Sequence, residues 1–215
     1  MEKRIIYCWF GGGEMNELNR SCIDSWLRVM PDYEIMRVDE SVFDVNLYAG
    51  CKKQYDRGQY AYVSDFARLW ALANYGGIYL DTDVYALKPF NDFLSLNNFM
   101  GISPSGRPNI GVIGGKTYWK RIFDEYTNKG EGFIPLGMYM SKKLGKIGRI
   151  SEIGTHLDCS LIPDNLFYAR EFVPQSVPLT AYNVHLFNGA SMPLSANEQL
   201  AAKNYFNEYI ANAQN

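Results

Sequence analysis

Apolar residues recur at helical spacing between residues 64 and 74. Phe66 and Trp70 are four positions apart, and the apolar residues at positions 69 and 73 continue the same stripe along one helix face. Ser64 and Asp65 are candidate N-caps, because a side-chain oxygen there can accept a hydrogen bond from a free amide of the first turn. The pattern therefore predicts an amphipathic helix that starts at one of these two residues.

A glycine pair interrupts this helix, and a short apolar run follows. Gly76 and Gly77 favour a helix end, because glycine readily adopts the positive φ found there. Residues 78–80 predict a strand that ends at Asp81-Thr82-Asp83. Both carboxylates share one face if the strand continues, and a turn can also gather them. Either way, an acidic pair lies at the carboxyl end of a strand, where open α/β sheets bind ligands.

The N-terminal part of the chain alternates between strand and helix patterns. Residues 5–10 are rich in β-branched and aromatic side chains, which predicts a buried strand. Residues 16–30 predict a helix and residues 33–38 a second strand. Such a unit is right-handed and pairs its strands in parallel. The sequence lacks G-x-G-x-x-G, so we expect no dinucleotide cofactor.

Weaker patterns complete the predicted chain. At 215 residues the protein has the size of one domain, and alternating strands and helices predict an α/β sheet flanked by helices. The remaining predicted elements are short helices at 49–57 and 90–96, strands at 99–102, 110–115 and 161–163, and longer helices at 117–127 and 196–211.

Composition narrows the class of protein. Apolar residues make up 47% and charged residues 20% of the chain, as in globular proteins. The net charge of −2 argues against general nucleic-acid binding, because no excess of positive charge is available for phosphates. No apolar run reaches the length of a membrane-spanning helix, and the four cysteines show no C-x-x-C spacing. We expect a cytoplasmic protein with reduced cysteines.

The acidic pair Asp81 and Asp83 is the first candidate for chemistry. No lysine or arginine lies within three residues of either carboxylate, so we expect a cation to relieve their repulsion. Hard oxygen ligands suit Mg²⁺ or Mn²⁺, which complete their shells with water and substrate phosphate oxygens. Two solvated turn residues are the alternative. The helix and apolar strand before the pair favour a site for a metal and a diphosphate.

The string SDFARLWALANYGGIYLDTDVYALKP resembles the DXD-containing sugar-binding region of GT-A glycosyltransferases of family 32. This group includes bacterial capsular-polysaccharide transferases, fungal mannosyltransferases and, more distantly, clostridial glucosylating toxins. The resemblance extends to IIYCWFGGG and, more loosely, to SWLRVMPDYEI. It implies a GT-A-like, Rossmann-type nucleotide-binding sheet in a single domain, with a nucleotide-sugar-binding half at 1–90 and an acceptor-side half at 91–215. It also implies metal-dependent, retaining transfer of a hexose from a nucleotide-sugar, first of all a UDP-sugar, to a glycan or polysaccharide.

The resemblance also implies roles for individual residues. It places Asp65 on hydroxyls of the donor sugar and Arg68 near that sugar or the diphosphate; a surface ion pair is the alternative. An aromatic ring at the end of the first strand would stack on the base, and we favour Trp9 over Phe10. Further implied contacts with the nucleotide-sugar are Tyr7, Ser64, Tyr79 and Thr82, with Asn109 and Gly111 as weaker candidates. For Trp9, Phe10 and Tyr79 a role in core packing is the alternative.

The stretch 181–191 contains a third candidate metal ligand. Under the resemblance, His185 completes the metal shell or hydrogen-bonds a diphosphate oxygen, and a neutral imidazole can ligate a metal. A histidine in an apolar strand can equally be a core residue with satisfied hydrogen bonds. Asn188 and Ser191 are weaker candidates, because Ser191 is followed by methionine where the family has tryptophan.

Two other functions stay open. The string LDTDV after an apolar strand also suits a haloacid-dehalogenase-like phosphatase, although that fold needs a later acidic pair that this sequence lacks. A non-catalytic nucleotide-sugar-binding module is the other alternative. The lysine- and glycine-rich segment 128–150 is either a solvated face or a contact with anionic lipid, so peripheral association with the inner face of the membrane is also open. The expected partners are thus a nucleotide-sugar and a glycan, in an unknown oligomeric state.

Overall fold

The computed structural model describes residues 1–128, 133–169, 177–178, 180–186 and 195–213. The weaker candidates Asn188 and Ser191 lie outside the described residues. The other candidate site residues all lie within them.

The first strand–helix–strand unit forms as predicted. Strand β1 (Arg4–Cys8) leads through helix α1 (Glu17–Val29) to strand β2 (Glu34–Val38), and the two strands pair in parallel. On its other side β1 pairs in parallel with β3 (Ile78–Leu80). The strand before the acidic pair is therefore an inner strand of the sheet, and the predicted parallel pair is confirmed.

Helix α3 (Tyr60–Tyr75) begins four residues before its predicted start. Ser64 and Asp65 lie inside the helix and do not cap it: the Ser64 hydroxyl donates to the Tyr60 carbonyl, and Asp65 is buried. The cap prediction is wrong because the four residues before Ser64 contain no helix breaker. The glycine break is confirmed, since Gly77 has φ of +115° and a Cβ there would collide with the backbone of β1.

Strands from both predicted halves of the chain join one mixed sheet in the order β2-β1-β3-β6-β5-β8-β7. Strand β6 is antiparallel to both β3 and β5, whereas β5 and β8 are parallel. The predicted α/β sheet is confirmed, although β7 has only three residues and left no pattern in the sequence. The strands of this second part are β5 (Asn98–Ile102), β6 (Pro108–Gly115), β7 (Gly154–His156) and β8 (Cys159–Ile162).

A second, three-stranded sheet explains how the acidic turn meets His185. It has the order β4-β10-β9, with β4 at Val84–Ala86, β9 at Phe167–Ala169 and β10 at Asn183–His185. Residues 81–83 connect β3 of the large sheet with β4 of the small one. Because β10 is antiparallel to β4 with His185 opposite Val84, the histidine lies directly beside this turn.

The other helices cover the sheet and enclose an aromatic core. Helix α4 has the predicted bounds, and its Trp119 is fully buried, in agreement with a core role. The four cysteines are free and buried. Within the described parts of the chain, no helix combines the length and apolarity needed to cross a bilayer. The remaining helices are α2 (Ala49–Tyr55), α4 (Thr117–Thr127), α5 (Leu136–Leu144) and α6 (Ala196–Ala213), with 3-10 turns at Val45–Leu47 and Phe90–Phe93.

Candidate functional site

Asp81, Asp83 and His185 converge where the two sheets meet. The Nε2 atom of His185 lies 3.3 Å from Oδ1 of Asp83 and 3.9 Å from Oδ2 of Asp81. One potential ligand atom from each residue lies within 4.8 Å of the others. The structure therefore brings together the three residues that the sequence suggested as metal ligands.

The arrangement fits a divalent cation. In an octahedron with bonds of about 2.1 Å, adjacent ligand atoms lie about 3 Å apart and opposite ones about 4 Å apart. The observed separations of 3.3 Å and 3.9 Å fall within that range. Gly111 leaves the necessary room, because a Cβ at this position would lie 2.5 Å from His185 Cε1 and 2.7 Å from Asp81 Oδ2.

The two oxygens of Asp81 have different surroundings. Oδ1 accepts a hydrogen bond of 2.8 Å from the Tyr79 hydroxyl and lies 3.1 Å from Nη1 of Arg68, whereas Oδ2 faces His185. The expectation of an acidic pair without a nearby protein cation is therefore wrong for Oδ1. The contact with Arg68 was not predicted, because Arg68 is 13 residues from Asp81 in the sequence and the two are adjacent only in the fold. Oδ2 is therefore the oxygen of Asp81 that could hold a cation together with His185.

Arg68 and Asp65 form a buried ion pair beside this carboxylate. Both residues are 4% exposed, and Arg68 Nη2 lies 3.4 Å from Asp65 Oδ1. Arg68 Nη1 also donates to the carbonyl of Ile110, and Asp65 Oδ2 accepts the N–H of Leu136 at 2.9 Å. The alternative of a surface pair is wrong. Protein groups engage both side chains, so their contacts with a donor sugar or diphosphate stay predictions.

Tyr79 and Thr82 are tied to the same turn. Tyr79 is buried, and the guanidinium of Arg68 lies 4.5 Å from the centre of its ring, in a cation–π contact. Burial raises the pKa of Tyr79 well above its ordinary value, so the hydroxyl stays a neutral donor to Asp81. Thr82 Oγ1 accepts a hydrogen bond of 3.0 Å from the Asn19 side chain. These contacts hold the turn in place from both sides.

The aromatic residues at the end of β1 occupy different environments. Phe10 is buried and packs edge-to-face against Phe43. Trp9 is partly exposed, and its indole N–H donates to the Gly13 carbonyl at 2.6 Å. Tyr7 is half-buried against α1. Of the two candidate base platforms, Trp9 is thus the one that keeps part of its surface available.

Asn109 and Gly111, predicted from the sequence only as contacts of the sugar, form hydrogen bonds within the site that no sequence pattern indicated. Oδ1 of Asn109 accepts the Gly111 N–H at 3.1 Å and lies 3.1 Å from Nδ1 of His185. A glycine inside a predicted strand often indicates that another group approaches the backbone closely. Gly111 lies in the predicted strand 110–115, so the sequence contained this indication. The indication does not identify the approaching group.

The buried charges shift each other's protonation. Burial by itself lowers the pKa of His185, but the carboxylates of Asp83 and Asp81 outweigh burial and raise this pKa above 6.5. Burial raises the pKa of Asp65 to about 6, although Arg68 opposes the shift. His185 therefore holds its proton more tightly than an ordinary histidine does, and binding of a metal ion at Nε2 would compete with that proton.

The fold is similar to solved glycosyltransferase structures. A glycosyltransferase involved in glycosylation of the major capsid of PBCV-1 is 12% identical over 93% of this chain and 98% of its own, with a TM-score of 0.58. The galactosyltransferase LgtC, in complex with donor and acceptor sugar analogues, is 13% identical over 97% and 95%, with a TM-score of 0.53. GlyE of Streptococcus pneumoniae TIGR4 is 11% identical over 99% of this chain and 64% of its own, with a TM-score of 0.54. These likenesses establish the GT-A fold.

A family model locates the acidic turn within that fold. Residues 16–100 match the glycosyltransferase sugar-binding region containing a DXD motif, and the motif here is Asp81-Thr82-Asp83. The chain therefore combines the GT-A fold with a region that matches the DXD-containing sugar-binding model of glycosyltransferases. The match agrees with the resemblance seen in the sequence. A comparison with curated protein sequences gave no match.

Proposed function

We propose that this protein is a glycosyltransferase that moves a hexose from a nucleotide-sugar, first of all a UDP-sugar, to a glycan hydroxyl with retention of configuration. The observation that carries the proposal is the convergence of Asp81, Asp83 and His185 at the carboxyl end of β3. This cluster of negative charge suits a divalent cation bridged to a diphosphate. A nucleotide-sugar combines that diphosphate with a transferable sugar.

Asp81 Oδ2, Asp83 and His185 Nε2 are the groups that would hold the cation. We favour Mn²⁺ over Mg²⁺, because an imidazole beside two carboxylates suits a transition metal better than a cation that prefers oxygen alone. When bound, the cation supplies Lewis-acid stabilisation of the charge on the departing diphosphate. Tyr79 and Arg68 contribute by holding the opposite oxygen of Asp81, so the carboxylate is oriented before a ligand binds.

Trp9 is the proposed platform for the nucleotide base. Its partial exposure and its hydrogen bond to Gly13 support this role, because the ring is both available and fixed. Trp9→Ala is expected to weaken UDP binding by about 1 kcal/mol, the lower end for base stacking on an aromatic ring. Phe10→Leu is the control, since it should change stability and leave UDP affinity unaltered in calorimetry. Tyr7, Ser64 and Thr82 stay predicted contacts.

Retention of configuration is supported by the contacts of the nearby carboxylates, which leave none of them free to act as a general base. Asp65 is buried against Arg68 and the Leu136 N–H, and Asp81 and Asp83 are the proposed metal ligands. None of these three is then available as a general base. In the proposed reaction the bond from the sugar C1 to the phosphate oxygen breaks and a bond from C1 to the acceptor oxygen forms on the same face. The acceptor proton passes to the leaving phosphate oxygen, so the protein positions the groups and takes up no proton.

The decisive experiment is metal-dependent release of nucleoside diphosphate from a panel of UDP- and GDP-sugars. We expect Mn²⁺ to support release, EDTA to stop it, and Asp83→Asn to reduce it. Asp124→Asn, at an exposed carboxylate paired with Lys120, should leave release unchanged. The anomeric configuration of the new glycosidic bond, read by proton NMR of the acceptor product, tests retention.

Two outcomes would replace the proposal. Binding of Mn²⁺ and UDP without release from any sugar would indicate a non-catalytic binding module. Hydrolysis of p-nitrophenyl phosphate without any nucleotide would indicate the phosphatase.

A further inference from the structure

We propose that Asn109 is a positioning residue that fixes the tautomer of His185, so that the lone pair on Nε2 is available to a cation shared with Asp81 and Asp83. The inference rests on the proposed metal site for its functional meaning. The assignment of the tautomer itself rests on hydrogen bonds alone, and a measurement without metal tests it.

The backbone of Gly111 decides which way the amide of Asn109 points. The oxygen and nitrogen of such an amide are assigned from their hydrogen bonds. Here the atom 3.1 Å from the Gly111 N–H must be an acceptor, and only the oxygen of Asn109 can accept. The opposite orientation would set two donors against each other. The amide oxygen therefore faces both Gly111 and His185.

This orientation determines which nitrogen of His185 carries the proton. The same Oδ1 lies 3.1 Å from Nδ1 of His185. A carbonyl oxygen only accepts, so Nδ1 must be the donor and must keep its hydrogen. In the neutral imidazole the lone pair is then on Nε2, the atom 3.3 Å from Asp83 Oδ1 and 3.9 Å from Asp81 Oδ2.

Burial makes this hydrogen bond decisive. Asn109 and His185 are each 6% exposed, so no bulk water is available to replace the contact. The Nδ2 of Asn109 has no hydrogen-bond partner among the described residues. The position of the Asn109 amide is therefore determined by the two hydrogen bonds that its oxygen accepts, from Gly111 and His185. Partners that orient a metal-ligating histidine in this way typically change metal affinity about 10- to 100-fold.

The chain offers two informative variants and a matched control. Asn109→Leu has a similar size and removes the acceptor, whereas Asn109→Asp keeps an acceptor oxygen toward both Gly111 and His185. Asn98 is the control, because it is similarly buried and its oxygen also serves two donors, the backbone amides of Lys116 and Tyr118 at the start of α4. Asn98→Asp repeats the chemical change away from the cluster.

The first measurement reads the tautomer without metal or activity. The chain has two histidines, so ¹⁵N NMR of histidine-labelled protein gives two ring systems, and His156→Gln assigns them. At a pH high enough to neutralise His185, we expect the Nδ1–H form in the wild type and in Asn109→Asp. Asn109→Leu should lose that preference. A wild-type His185 with its proton on Nε2 would overturn the inference.

The second measurement is Mn²⁺ affinity by electron paramagnetic resonance of free Mn²⁺. We expect a loss of about 10- to 100-fold for Asn109→Leu and little or no loss for Asn109→Asp and Asn98→Asp. Unaltered affinity of folded Asn109→Leu would contradict the inference. If the wild type binds no Mn²⁺, the metal proposal fails while the NMR result still decides the tautomer. If Asn109→Leu does not fold, the comparison of Asn109→Asp with wild type by NMR still applies.

Discussion

Two neighbouring clusters of charge in this protein differ in how far the protein itself satisfies them. In the pair Asp65–Arg68, both side chains are buried and each bonds to protein groups on other elements. In the cluster of Asp81, Asp83 and His185, the side chain of Asp81 is 26% exposed and one of its oxygens faces only the histidine side. The first cluster is buried and bonded within the protein, whereas the second, which we call the open cluster, keeps the Asp81 side chain partly exposed.

The difference follows from charge balance. The two clusters together contain three carboxylates and one guanidinium, so negative charge is in excess there while His185 is neutral. Arg68 directs its donors to Asp65 and to one oxygen of Asp81. The surplus is therefore concentrated at Asp83 and the other oxygen of Asp81, where a divalent cation would neutralise it. Residues of the same type thus serve as support in one cluster and as candidate ligands in the other.

The largest effect is expected at the open cluster. Asp83→Asn should lower metal-dependent turnover about 1,000-fold, because Lewis-acid stabilisation amounts to several kcal/mol and about 1.4 kcal/mol corresponds to a factor of ten. The free energy of unfolding should change little, since the variant also removes repulsion. Nucleotide release and denaturant unfolding of the same sample measure both effects. Wild-type turnover in this variant would show that the open cluster is not functional.

The buried pair Asp65–Arg68 should respond in the opposite way. Arg68→Met should lower the free energy of unfolding by about 3 kcal/mol, because it leaves the buried Asp65 without its cation. Urea denaturation measures this change. Lys120→Met is the control: it breaks an exposed pair with Asp124 and should cost less than about 1 kcal/mol. Equal losses in the two variants would remove the distinction between the clusters.

A smaller effect is expected from filling the space beside the open cluster. In Gly111→Ala the new methyl group would lie 2.5 Å from His185 Cε1 and push the imidazole away from the carboxylates. Mn²⁺ affinity should fall about tenfold, which corresponds to the lower end of the cost of overpacking. Gly154→Ala is the matched control, because that strand glycine faces open space. Calorimetry with Mn²⁺ and UDP compares them, and equal affinities would show that the ring is not confined by Gly111.

The smallest effect is a dependence of Mn²⁺ affinity on pH. The carboxylates raise the pKa of His185 despite its burial, and an ion bound at Nε2 would compete with that proton. Affinity should therefore rise as the pH increases toward this pKa, by a few-fold and at most tenfold per pH unit, and level off above it. In the metal-free protein the sign is reversed: the protonated histidine stabilises the fold at low pH, and this stability is lost as the pH rises through the raised pKa. A pH-independent affinity in calorimetry would exclude His185 as a ligand.

The sequence by itself determined the local part of this protein. The glycine break, the strand at 78–80 and the acidic turn follow from neighbouring residues, because φ preferences and side-chain alternation act over a few positions. The parallel pair of β1 and β2 followed in the same way from a strand–helix–strand pattern. The predicted start of α3 was wrong by four residues, since Ser64 and Asp65 can cap a helix but do not end one that already continues through them.

The tertiary structure alone decided which groups surround the acidic turn. Arg68 reaches Asp81 from α3, His185 reaches it through the pairing of β10 with β4, and the oxygen of Asn109 meets the imidazole from β6. Arg68 and Asp81 are 13 residues apart in the sequence, and Asn109 and His185 are 76 apart, so no local sequence pattern predicts these contacts. They depend on strand register, which is set by packing across the whole sheet. The sequence thus supplied the carboxylates, and the fold decided which oxygen of Asp81 contacts Arg68 and Tyr79 and which faces His185.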